Sequence, residues 1–107
     1  ALTGPQADGL RMANPYFAVD NIAAGTYKDV PAVQTLAVGA QLVTSVKVDA
    51  ETVYQVTKAM YSDATQKTLA AGHAKGKLIT RQNAVQGVGI PYHPGAERFY
   101  KEAGLLK

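Results

Sequence analysis

The chain has 107 residues, 47% of them hydrophobic, with eleven Lys and Arg against eight Asp and Glu for a net charge of +3. That length suits one soluble domain of modest stability, no apolar run nears the roughly 20 residues that span a bilayer, and the scattered basic residues argue against a nucleic-acid partner. The absence of cysteine excludes a disulfide framework, a thiol nucleophile and a thiolate metal site, and leaves the compartment unread.

The opening ALTGPQADGL has no basic residue leading into an apolar core and does not read as a signal peptide. Gln6 to Ala13 predicts a short helix ended by Asn14-Pro15, with Leu10 and Met12 apolar. Tyr16 to Ile22 is aromatic and β-branched enough for a strand, and Ala23-Ala24-Gly25-Thr26 then turns before Tyr27. From Leu36 to Val48 the even positions Leu36, Val38, Ala40, Leu42, Val46 and Val48 are apolar, while Gln41, Ser45 and Lys47 take the other face. This run predicts one bent strand, or two strands of a shared sheet, with Gly39 marking a bulge or close backbone approach.

Asp49 is placed to cap the next helix, with Glu51 favourable to the dipole in its first turn. Val53, Val56, Met60 and Ala64 form its apolar face, leaving Tyr54, Thr57 and Lys58 beside or opposite. Leu69 and Ala70 extend a further helix that fails near Gly72, Gly76 breaks the connector, and Ala84-Val85 suggests another short helix. Pro94 then suits a first helical position, with Glu97 paired to Lys101 and Arg98 to Glu102 four residues on, and Gly104 closing the helix. Extended segments followed by three or four helices give an α/β class.

The tail IPYHPGAERFYKEAGLL at 90–106 resembles the C-terminal signature of the TAXI family, the extracytoplasmic solute-binding proteins of TRAP transporters. Those proteins often end in a PLHPGA-like stretch followed by an aromatic-rich helix. NPYF at 14–17, IAAGTY at 22–27, the β-like run from Val33 to Val48, VYQVTKAMY at 53–61 and the His-Ala pair at 73–74 resemble the same family in order and spacing. The resemblance implies that residues 1–107 are a single fragment, the C-terminal third of a two-lobed type II periplasmic-binding-protein fold. It further implies a periplasmic location, capture of a small organic, commonly anionic solute, and delivery to the TRAP membrane subunits without cofactor or chemistry. The exporting signal of such a protein would have been removed or would lie outside this piece. Strands whose partners lie in the missing part would leave open edges, inviting self-association.

Within that resemblance Gly25, Thr26 and Tyr27 are the candidate ligand-binding residues near the lobe crossing. Glycine lets backbone approach a solute, and the Thr hydroxyl and Tyr ring can supply a hydrogen bond and a flat wall. The other reading of the segment is a strand-ending turn with Tyr27 packed on the core. Thr35 is a weaker candidate.

No catalytic group stands out. A metal would need a third ligand to join His73 and His93 on a common face, and each histidine fits a helix-end role better. Gly72, Gly76 and Lys77 fail as a phosphate loop because only three residues separate the glycines and Leu78 replaces the magnesium-binding Ser or Thr. Gly87 and Gly89 fail as a dinucleotide fingerprint because Tyr92 stands in place of the third glycine. Two readings from other classes stay open: a stand-alone structural or interaction domain that self-associates, and a small hydrolase built around His73 or His93.

Overall fold

The computed structural model describes residues 1–107 as a mixed α/β chain. Helix α1 (Pro5–Ala13) leads into strands β1 (Phe17–Ile22) and β2 (Val33–Val38), then helices α2 (Ala50–Met60) and α3 (Asp63–Gly72), a 3-10 helix (Ala74–Leu78) and helix α4 (Pro94–Glu102). Two antiparallel strands followed by four helical segments match the class expected from the sequence. No helix is long and apolar enough to cross a membrane. The chain divides into two compact units, one of Ala1–Gln41 with Gln86–Gly89 and the other of Leu42–Val85 with Ile90–Lys107.

In the first unit α1 starts as its sequence dictates, with Pro5 in the first turn after Gly4, Asp8 near the N-terminus and Arg11 near the C-terminus. Asn14 ends it by donating both its backbone N–H and its side-chain amide to the Leu10 carbonyl, at 2.9 and 3.1 Å. The strands form an antiparallel hairpin in which Phe17 faces Val38 and Ile22 faces Val33. No side chain of this unit is buried. A two-stranded sheet of that kind is marginal in water without further strands or a helix layer to close its core.

The second unit holds the core. Tyr54, Tyr61, Phe99 and Tyr100 are buried together, with Met60, Tyr92, Ala96, Leu105 and Leu106 packed around them. Tyr61 and Phe99 stack with centroids 5.9 Å apart and planes 8° from parallel, whereas Tyr54, Tyr92 and Tyr100 meet their neighbours edge-on. Both geometries suit the ring quadrupole. Burial pushes the Tyr100 hydroxyl well above the ordinary phenol range, and the adjacent Tyr61 adds to it. Helix α4 reaches α2 closely because residue 95 is glycine: a Cβ there would sit 2.7 Å from the Tyr54 nitrogen and would also strike the Ala50 carbonyl.

Three sequence expectations are corrected. The extended run does not continue to Val48; β2 stops at Val38, because that residue already faces Phe17, the first residue of β1, and beyond it no partner strand offers a ladder. Leu42, Val43 and Val46 are consequently exposed. The buried face of α2 is Tyr54 and Thr57, continued by Tyr61, and Val56 is 53% exposed. The rings of Phe99 and Tyr100 select the tyrosine stripe, and the buried Thr57 hydroxyl is satisfied by donating to the Val53 carbonyl at 2.7 Å. Ala84 and Val85 lie in consecutive turns and not in a helix, since Asn83 bonds back to Leu78 and Thr80 and offers the backbone a local alternative.

Candidate functional site

Gly25, Thr26 and Tyr27 lie together at the tip of the β1–β2 hairpin. The loop is closed by its own backbone: Thr26 donates to the Ala23 carbonyl at 3.2 Å, Gly25 to Val30 at 3.3 Å and Val30 to Tyr27 at 3.2 Å. Gly25 takes φ 79° and Asp29 φ 59°, left-handed values that glycine adopts freely and aspartate tolerates. Tyr27 is 61% exposed, so its ring is available as a wall and does not pack on a core. Thr35 stands within β2 opposite Asp20.

A larger concavity in the same unit lies beside the base of the hairpin. It is a half-open depression of about 370 Å³ lined by Arg11, Pro15, Phe17, Ala18, Val19, Gln86 and Gly87. Arg11 comes from the last turn of α1, Pro15 from the turn after it, and three residues from the start of β1. Gln86 and Gly87 complete the wall because the chain returns to this unit for four residues. That return is tight: Gly87 has φ 65°, a Cβ on it would lie 3.3 Å from the Tyr16 carbonyl oxygen, and the Gln41 side-chain amide donates to the Gly87 carbonyl at 3.0 Å. Arg11 also borders a smaller depression of about 140 Å³ that contains Asp8. Its Nη1 reaches the Asp8 carboxylate at 3.4 Å, while its Nε is buried and has no hydrogen-bond partner.

The two histidines serve helix ends. His73 Nδ1 accepts from the Lys75 backbone at 3.0 Å and opens the 3-10 helix. His93 Nδ1 accepts from the Gly95 backbone at 3.2 Å and caps α4, which leaves Nε2 as the donor to the Val48 carbonyl at 3.0 Å. Each ring is thus engaged in holding backbone. Sequence reasoning found these caps but missed the Arg11 depression. The available signal was that Arg11 is the one basic residue before Lys28. Gly87 drew notice only as part of a failed nucleotide motif.

A model of the NMT1-like family matches residues 1–104. The chain belongs to the NMT1-like family. NMT1-like proteins are a binding-protein family, generally non-enzymatic and related to periplasmic solute-binding proteins. No solved structure matches the chain. For an NMT1-like domain the expected chemistry is recognition of a small solute, and a concave surface with a charged group, such as the Arg11 depression, is the kind of feature that recognition uses.

Proposed function

We propose that this chain is the C-terminal part of a periplasmic solute-binding subunit of a TRAP transporter of the TAXI type. The observation that carries the proposal is the NMT1-like match over residues 1–104, which covers nearly every motif that resembles TAXI proteins. The first unit adds support: it has a hairpin, a helix and a cavity but no buried side chain, as expected of a lobe whose remaining strands and helices are encoded elsewhere. In this reading the complete protein closes two lobes around a small organic anion and presents the closed form to the membrane subunits, a hinge mechanism with no bond made or broken. Gly25, Thr26 and Tyr27 would wall the solute from the hairpin tip.

Intact mass spectrometry of the natural gene product from its source cells tests this reading. A mature protein several-fold heavier than this 11.3 kDa chain, with a thermal shift on adding an organic acid, is the expected result. A natural product of this size would overturn it. One observation would then favour a stand-alone domain that self-associates: Val38 at the end of β2 and Leu42, Val43 and Val46 in the stretch after it are exposed.

A further inference from the structure

We propose that the 3-10 helix Ala74–Leu78 and the turn after it form a docking surface for an anionic lipid membrane, held by lysine and arginine charge with Leu78 entering the headgroup layer. The inference lies wholly within the second unit and does not depend on the solute-binding reading.

The first observation is charge without counter-charge. Residues 64–96 contain Lys67, Lys75, Lys77 and Arg81 and not one Asp or Glu. All four cations are exposed, and none is ion-paired, since the ion pairs of the chain are those of Arg11, Arg98 and Lys101. Arg81 donates from Nε and Nη2 to the Tyr61 carbonyl, at 3.3 and 3.0 Å. That acceptor is neutral, so it fixes the guanidinium and leaves its charge uncancelled.

The second observation is how the 3-10 helix aims these groups. Gly76 is buried, and a Cβ on it would strike the Leu69 carbonyl of α3, so this residue marks the inward face. With three residues per turn, Lys75 and Lys77 stand about 120° to either side of Gly76, and Leu78 falls on the same row as Lys75. The two lysines therefore straddle the contact with α3 and point away from it. Leu78 is 52% exposed and Ile79, one residue on, is 39% exposed. Aliphatic side chains standing among cations have the composition of an interfacial membrane segment, in which apolar insertion and attraction to acidic lipids act together. A nucleic acid is matched less well, because no aromatic residue from Ser62 to Pro91 offers a base a stacking surface.

The test is cosedimentation of the full chain with vesicles of phosphatidylcholine alone, or with about one-third phosphatidylglycerol, in about 0.1 M salt. Retention by the acidic vesicles, none by the neutral ones, and release in about 1 M salt are expected. The Lys75→Gln/Lys77→Gln double variant should weaken retention at least about tenfold, whereas Lys28→Gln/Lys107→Gln, which removes the same charge elsewhere, should weaken it less than about twofold. The chain has no tryptophan, so Leu78→Trp adds a single reporter whose emission should shift to the blue on acidic vesicles. The proposal is overturned if acidic vesicles do not retain the unchanged chain, a result that requires no variant to fold. It is equally overturned if the two lysine pairs weaken retention alike, which would make net charge the cause, or if the reporter's emission stays fixed while the chain is bound. A chain that binds polyglutamate and ignores vesicles would overturn it in favour of an acidic protein partner.

Discussion

The guanidinium carbon of Arg98 lies 3.9 Å from the centre of the Tyr54 ring, placing the cation of α4 over an aromatic side chain of α2. The same guanidinium binds Glu51 at 2.8 Å and Glu102 at 3.1 Å, and the Tyr54 hydroxyl donates to Glu102 at 2.7 Å. Arg98, Glu102 and Tyr54 close a ring of contacts, and Glu51 joins it through Arg98, so side chains tie α2 to α4 where the two helices cross. Because stacking and two carboxylates act on one planar group, Arg98→Lys should not substitute well, even though the charge is kept. The expected result is a fall in Tm for Arg98→Lys nearly as large as for Arg98→Ala, with both falls shrinking in high salt. Equal melting of Arg98→Lys and the unchanged chain would show that charge alone matters.

The tyrosine stripe of α2 predicts a sharp contrast between two substitutions. Phe99→Ala removes a ring that touches Tyr54, Tyr61 and Tyr100 and should cost about 3–5 kcal/mol, most of the margin of a small domain. Val56→Thr, on the exposed side of the helix, should change stability by no more than about 0.5 kcal/mol. Urea unfolding followed by circular dichroism reads both. A large loss for Val56→Thr would mean that the valine face is the packed one.

Gly95→Ala tests the close crossing of α2 and α4. The added methyl meets backbone, which cannot rotate away, so α4 must shift and the expected cost is about 1–3 kcal/mol. Gly72→Ala, where a Cβ would meet nothing and the backbone is helical, should be neutral or mildly stabilising. Paired thermal melts decide it; matching values would argue that α4 does not approach α2 so nearly.

Three carboxylates of the second unit are held below their usual range. Asp49 is lowered chiefly by the Thr52 backbone N–H it accepts, Glu51 by the Gln55 amide and then Arg98, and Glu102 by the Tyr54 hydroxyl and then Arg98. Groups whose folded pKa is depressed stabilise the fold above their unfolded value and lose that contribution as pH falls through the folded one. Tm should therefore hold steady down to about pH 5 as far as these groups are concerned and decline below about pH 4. In a combined Asp49→Asn, Glu51→Gln, Glu102→Gln variant the acid limb should flatten. An unchanged acid limb would assign the transition to other carboxylates.

What the sequence made legible was local. Pro94, His93, the Glu97–Lys101 and Arg98–Glu102 pairs and the Asp49 cap all act within one turn of their own helix, and each is found as read. What stayed hidden depends on residues far along the chain. Tyr54 outranks Val56 because α4, more than forty residues later, supplies aromatic partners. Strand β2 ends at Val38 because β1 begins at Phe17. Arg11 gains its setting from Gln86 and Gly87, a return that no periodicity in residues 5–13 could announce. The hairpin tip was located correctly as a turn, while the exposure of Tyr27 follows from the loop's own backbone bonds.

The chain passes from one compact unit to the other at residues 41–42, 85–86 and 89–90. Neither unit is therefore a contiguous stretch that could be excised by placing one stop codon or one protease site. A nick in any single crossing leaves the two halves joined by the remaining connections, so limited digestion should yield fragments that run apart only after denaturation. For anyone dividing this protein into pieces, the four residues Gln86–Gly89 are the segment to keep. Removing them would take a wall from the first unit and at the same time leave the second without its link from Val85 to Ile90.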